Sequence, residues 1–432
     1  MEDLCERIPL ICKFVFSNVD DKSLTNCREA SRRLKESLDK GRLLWLRIIK
    51  RKSIHFNKHS NLWKKAVEKT PVEILTNLAV AIDPFFNSTS TEFIVLSSLN
   101  IDIEDLRDKA QWSPHHIAAK SGNLQLYQHI AEKTAEINPS GCNTKTVLHL
   151  ASTHGHLDVS KFIMDKLVDK NPSDVYGQTP FHVAAAYGHI ELCKVFIENG
   201  VDLNCRDKKG LSLLHAAASL GQLETYKFIM DSLQDKNPPD NEGSTPLHRA
   251  ANDGKLELCR IIINNVNVKN PADNEGYTPL LHAATHGHLQ ICKEIIENIS
   301  DKNPANEHGV TPLHFAALYG HFKICKLIAD NIVNKCPTDH DGFTPLHDAA
   351  SNGHLEIYKL LMKGLVNVNP GNNQGSTPLH GAAESKQMSL CKFIIENVKD
   401  KNPADNNGIT PFMVNPSDEY KRLLDDLGVV PQ

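Results

Sequence analysis

The sequence predicts an all-α solenoid of about nine to ten helix-turn-helix units, preceded by a small helical domain. Three observations carry this expectation. A 33-residue frame runs from about residue 111 to the C-terminus without net insertion or deletion. A histidine column marks the frame at His116, His149, His182, His215, His248, His314, His347 and His380; Leu281 stands in the one gap, with His282 beside it. Each unit carries two stretches of helical periodicity separated by a glycine. A fixed period of this length means a stack of one supersecondary unit, not a globular enzyme domain.

The chain opens outside the frame. Residues 1–50 read as three short amphipathic helices, broken at Asp20-Asp21 and at Asp39-Lys40-Gly41. Taken alone, they describe a helical cap for the array. Their order of residues also resembles an F-box: Ile8-Pro9, Ile11, Val15, Phe16, Val19, Ser23-Leu24, Cys27, Ala30-Ser31-Arg32, Leu34 and Leu44-Trp45. The departures are Ile8 for Leu, Ser23 for Asp and Leu34 for Trp. That resemblance implies docking on the Skp-type adaptor of a cullin-RING ubiquitin ligase. Ile8, Pro9, Leu10, Ile11, Val15 and Leu24 would make the contact. Residues 51–110 are expected to be a helical linker that seals the first repeat. They could hide one or two degenerate repeats whose frame is not legible.

The array, residues 111–432, repeats one order of residue types. In Gly177-Gln178-Thr179-Pro180-Phe181-His182-Val183-Ala184-Ala185-Ala186-Tyr187-Gly188, Thr suits an N-cap and Pro the first helical turn, where a missing N–H costs nothing. The alanines make a slim helix, and Gly188 ends it. Ile190 to Ile197 then has apolar residues at three- and four-residue spacing, a second amphipathic helix. The Thr-Pro-Leu-His-x-Ala phrase and the period resemble the ankyrin repeat over about 320 residues. The turn departs from that family. Asn-Pro stands in phase at Asn138, Asn171, Asn237, Asn270, Asn303, Asn369 and Asn402. Proline removes a donor, so fewer regular strands are expected than in a typical ankyrin domain. At the C-terminal end, Thr410-Pro411-Phe412-Met413 begins a worn tenth unit, and residues 416–428 look like a polar closing helix.

Twenty-two His and eleven Cys invite a metal or catalytic reading. The frame argues against one. Cys193, Cys259, Cys292, Cys325 and Cys391 share one position of the second helix, which Tyr226 and Tyr358 fill elsewhere. Stacked helices lie about 10 Å apart, whereas a disulfide needs Cα atoms within roughly 7 Å and zinc needs sulfur at about 2.3 Å. The column therefore reads as packing. A histidine in every unit reads as a helix-start residue tying one repeat to the next, the role the ankyrin resemblance also implies. No phosphate loop, nucleophile elbow or paired-carboxylate motif stands out, so no enzyme activity and no cofactor are expected.

What the frame leaves free is surface. The residue after the repeat His, and those after the Ala pair, should face the concave side, and they vary. With the turn tips, the candidate target-binding residues are Tyr176, Tyr187, Arg249, Asp253, Tyr277, His282, His286, Phe315, Tyr319, Phe343 and Asp348. Residues 1–70 carry 17 Lys/Arg against 9 Asp/Glu and the remainder 31 against 43, a basic head on an acidic array. That balance argues against nucleic acid on the array. No apolar run approaches the roughly 20 residues that span a membrane. The acidic N-terminus lacks the form of a signal peptide. A soluble chain, monomeric in itself, is expected in the cytoplasm, the nucleus or both; Arg47 to Lys52 could pass for a nuclear signal. The leading reading is a substrate-recruiting subunit of a ligase, with an unknown protein target. The alternative is a plain ankyrin scaffold or inhibitor with no ligase role.

Overall fold

The computed structural model describes residues 113–132 and 134–429; the head, the linker and the expected adaptor contacts Ile8, Pro9, Leu10, Ile11, Val15 and Leu24 lie outside the described residues. The described chain forms ten helix pairs in two units that divide after Val175. The first unit holds α1 (Pro114–Ser121), α2 (Leu124–Ala131), α3 (Val147–His154) and α4 (Leu157–Lys166). The second begins with α5 (Pro180–Tyr187), α6 (Ile190–Glu198), α7 (Leu213–Leu220), α8 (Leu223–Asp231), α9 (Pro246–Asn252) and α10 (Leu256–Asn265). It continues with α11 (Pro279–Thr285), α12 (Leu289–Asn298), α13 (Pro312–Leu318), α14 (Phe322–Asn331), α15 (Pro345–Ser351) and α16 (Leu355–Leu361). It ends with α17 (Pro378–Glu384), α18 (Met388–Asn397), the four-residue α19 (Pro411–Val414) and α20 (Asp418–Asp426). The worn tenth unit and its closing helix therefore form as expected, and α20 buries Tyr420 and Leu424.

Most first helices begin with their donors accounted for. In α9, Pro246 has no N–H, the Leu247 N–H donates to Asn237 Oδ1 (2.9 Å), and the His248 N–H donates to the Thr245 carbonyl (2.9 Å). The Thr245 N–H in turn donates to His248 Nδ1 (3.0 Å). The opposite ring nitrogen, Nε2, donates to the Tyr277 carbonyl in the next repeat at 3.0 Å. The same forward bond joins His215 to Ser244, His314 to Phe343, His347 to Ser376 and His380 to Ile409. In the first unit His116 reaches the Lys145 carbonyl. These rings are buried. Burial pushes His215, His248 and His347 down to about 4, against the partial offset of the accepting carbonyl. They are neutral, as a ring that accepts at one nitrogen and donates at the other must be.

A second histidine column, not read from the sequence, binds in the opposite direction. His288, His321 and His354 donate from Nε2 to the carbonyls of Asn252, Thr285 and Leu318 in the preceding repeat, at 3.0, 3.0 and 3.1 Å. Within the first unit, His156 does the same to Lys120. The helix-ending glycines make room for them. A Cβ on Gly287 (φ +77°) would stand 2.7 Å from the His321 ring.

The Asn of Asn-Pro has a sharper role than stiffening the turn. Its Oδ1 accepts the N–H ten residues on: Leu148 from Asn138, Leu280 from Asn270, Leu313 from Asn303 and Leu379 from Asn369, all at 2.9–3.0 Å. That N–H is one of the helix-start donors that the helix itself cannot satisfy. Among the described residues the turns hold only two isolated bridges, Ser140 with Thr146 and Arg206 with Ser212, in keeping with the expected loss of strand. The turn tips are instead stitched edge to edge by one backbone bond per repeat. The N–H groups of Asn241, Asn274, Glu307, His340 and Asn373 donate to carbonyls of Lys209, Glu242, Glu275, His308 and Asp341.

The core lies between the two helix layers. It comprises the Ala pairs (Ala250 and Ala251, Ala316 and Ala317), the leucines before the histidines, and the inward faces of the second helices. In the second unit successive first helices pack more extensively than successive second helices, which makes the first-helix side the inner one. The Cys/Tyr column is fully buried at Cys193, Tyr226, Cys259, Cys292, Cys325, Tyr358 and Cys391. Tyr226 donates its hydroxyl to the Lys236 carbonyl at 2.9 Å. Where Cys259 and Cys292 replace the tyrosine, Lys269 and Lys302 turn their ammonium groups onto carbonyls at the end of the second helix.

Asn303→Ala is expected to destabilise the array by about 1–2 kcal/mol, because the Leu313 N–H loses its acceptor. Cys336 occupies the same frame position without an oxygen. Cys336→Asn should therefore stabilise by roughly 0.5–1.5 kcal/mol. Urea unfolding midpoints check both. An alanine variant as stable as the parent refutes the capping role.

Candidate protein-recognition surface

The first-helix layer of the second unit carries most of the expected recognition residues on its inner side. The position after the repeat histidine holds Val183, Arg249, His282, Phe315, Asp348 and Gly381, one on each of six first helices. Arg249, His282, Phe315 and Asp348 are half-buried. Four positions later, Tyr187, Asp253, His286 and Tyr319 are exposed. Helical spacing puts the two positions on one face.

Part of this set is drawn together. Tyr277 lies 6.0 Å from His282 and 6.3 Å from Phe315, ring centre to ring centre. Phe315 stacks with Tyr319 at 6.4 Å, and Tyr319 meets His321 at 6.4 Å. A run of rings thus crosses two consecutive repeats. Tyr319 remains 53% exposed and Phe343 39%, an apolar surface beyond what packing consumes. Phe343 sits edge-on to His347 at 5.3 Å. His286 turns its Nδ1 back to the His282 carbonyl at 3.0 Å and stacks on His288. Tyr176 and Tyr187 belong to the first repeat of this unit, three repeats before Tyr277; Tyr187 stacks on His189. Asp253 accepts a hydrogen bond from Asn252.

Two charged groups on this face keep an enclosed polar atom without a hydrogen-bond partner: Arg249 at Nε and Asp348 at Oδ2. Burial pushes the Asp348 carboxyl up to about 8, and the nearby Asp339 charge adds to the rise. His282 is pushed down, chiefly by burial. Neither Arg249 nor Asp348 was singled out in the sequence for this property. The only signal was their departure from small or apolar neighbours in the column.

The remaining reactive-looking residues serve packing. Burial pushes the thiols of Cys193, Cys259, Cys292, Cys325 and Cys391 up to about 12. Among the described residues no group of three or more His, Cys, Asp and Glu could hold a metal ion. His156 and His288, members of the His-Gly-His pairs, are the backward ties already described. A cleft of about 450 Å³ opens on the turn side, between Gln234–Pro239 and Asn265–Ala272. It contains none of the expected site residues.

The comparisons agree with this architecture. A family model described as ankyrin repeats (3 copies) matches residues 78–174, 166–240, 214–306 and 287–370. The chain belongs to the ankyrin-repeat family, and such repeats indicate a protein-interaction scaffold. The first match begins inside the segment expected as linker, and the head has no F-box match. No curated protein matches the chain.

Two predictions rest on these environments. A carboxyl whose folded-state value is raised contributes stability below its unfolded value, and that contribution is lost as pH rises through the folded value, here about 8. Asp348→Asn should therefore melt progressively higher than the parent between pH 4 and pH 9, by roughly 2–4 °C at the alkaline end. A pH-independent difference refutes the assignment. Separately, iodoacetamide should label exposed Cys142 at least about 100-fold faster than the five buried thiols, by peptide mass mapping. Comparable rates would contradict the packing role.

Proposed function

We propose that this chain recruits a protein target to a cullin-RING ubiquitin ligase and performs no chemistry itself. The target would sit on the inner side of the second unit, on the rings of Tyr277, His282, Phe315 and Tyr319, flanked by Arg249, Asp253, His286, Phe343 and Asp348. The observation that carries this is the run of ring contacts across two consecutive repeats, with Tyr319 half exposed at its end. Partly exposed aromatic side chains on a rigid support are the usual anchors of protein interfaces. Tyr176 and Tyr187 would form a second, smaller contact. A frame that is constant in its ties and varied at these positions suits recognition.

The ligase half of the proposal rests on the head. Its support is the residue order from Ile8-Pro9 to Leu44-Trp45, with Ile8, Pro9, Leu10, Ile11, Val15 and Leu24 at the Skp-type adaptor. On this reading residues 1–50 dock the ligase, 51–110 link, 111–432 hold the target, and the chain works in the cytoplasm, the nucleus or both. The plain scaffold or inhibitor remains the second reading, favoured by the match of the repeats alone.

Size-exclusion chromatography of the full chain with a purified Skp-type adaptor separates the two. A co-eluting complex that Pro9→Ala with Leu10→Ala weakens about tenfold or more, at unchanged melting temperature, supports the ligase role. No complex at tens of micromolar leaves the scaffold.

A further inference from the structure

The site proposed above has a chemistry that narrows its partner. Asp348 follows His347 on α15, with Phe315 in the preceding repeat at the same position and Gly381, which has no side chain, in the next. Its Oδ2 is enclosed and has no hydrogen-bond partner. Asp348 as a whole is only half-buried, so its carboxyl is not sealed from a partner, and an incoming cation would supply the missing bond. The neighbouring edge points the same way. Glu275, Glu307 and Asp341 are exposed at successive turn tips, held in line by the tip-to-tip backbone bonds. The array beyond residue 70 carries 31 Lys/Arg against 43 Asp/Glu. The opposing charges are placed elsewhere: Arg249 lies three repeats away, and Lys208 and Lys209 occupy an earlier tip. Burial keeps the free carboxyl largely neutral below about pH 8, so its ionised form awaits a counter-charge.

We propose that the docking segment of the target is cationic, with one arginine or lysine side chain entering beside Asp348 and its apolar neighbours lying on Phe315 and Tyr319. This rests on the reading of the inner face as the target site. The frame is also irregular here. Leu281 replaces the tying histidine in the repeat of Tyr277, and Cys336 replaces the capping Asn one turn before Asp348. Departures from a local rule without structural gain collect at functional sites.

Two fluorescein-labelled dodecamers test this against the full chain by fluorescence anisotropy at 0.15 M salt: four repeats of Gly-Leu-Arg, and the same peptide with Glu for Arg. The arginine probe should bind about tenfold tighter than the glutamate probe. Asp348→Asn should weaken it about tenfold, and Tyr319→Ala about fivefold. Asp330→Asn, an exposed carboxylate on α14, should change it less than twofold, because it is remote from the seat. Equal binding of the two probes, or no binding of the arginine probe at 200 µM, overturns the cationic partner. So does an Asp348→Asn effect no larger than that of Asp330→Asn, which would mean diffuse attraction to an acidic surface. If Tyr319→Ala weakens both probes while Asp348→Asn changes neither, the aromatic surface stands as the target site and only the cation fails. If Tyr319→Ala also changes neither, the location itself fails.

Discussion

A buried imidazole in all but one of the nine full repeats holds this architecture. His248 shows the constraint in full: Nδ1 accepts from the Thr245 N–H, and Nε2 donates to Tyr277 of the next repeat. Both nitrogens are committed, so the ring fixes the start of its own helix and the distance to the following one with a single side chain. The forward bond spans 29 residues each time, which forbids insertions between the histidine and the next turn. The exact 33-residue frame follows from this geometry. The backward column, with bonds spanning 36 residues, closes the other side of the junctions it occupies. Lateral order is therefore encoded by side chains that look catalytic only when counted.

Much of this was legible in the sequence because a repeat displays each rule many times. Thr-Pro at helix starts, Gly at helix ends and the apolar spacing of the second helix appear in nearly every unit, and the helices fall where these signals put them. The packing reading of Cys193 and its column holds because those thiols are enclosed. What stayed hidden was the partner of each polar side chain. Asn303 is recognisable as a turn residue, yet its bond to Leu313 depends on how the chain folds back across ten residues. The ties made by His288 and His321 were not legible, because a contact 36 residues upstream leaves no local trace.

The candidate surface was legible in part for a related reason. Variation within a constant column flagged Phe315, Tyr319 and Asp348. The sequence did not reveal that Tyr277, His282, Phe315 and Tyr319 form one run of rings while Tyr187 belongs to another repeat group. Nor does periodicity report whether a carboxyl is solvated. The enclosure of Asp348 Oδ2 is a property of the stacked array that no single unit displays. The proposed site resides in the differences between units, and those differences acquire meaning only after stacking.

The stitched edge of turn tips has a further consequence. Each tip offers one N–H to the tip before it and one carbonyl to the tip after it, in the same register throughout Asn241 to Asn373. In this backbone bond the tip junctions from Asn241 to Asn373 are alike. Loss or duplication of one whole 33-residue unit would rejoin a donor to an acceptor of the same kind, leaving no frayed backbone at the scar. Such a chain can change its length in quanta during evolution, and each quantum would reposition the aromatic and acidic surface relative to whatever lies at either end.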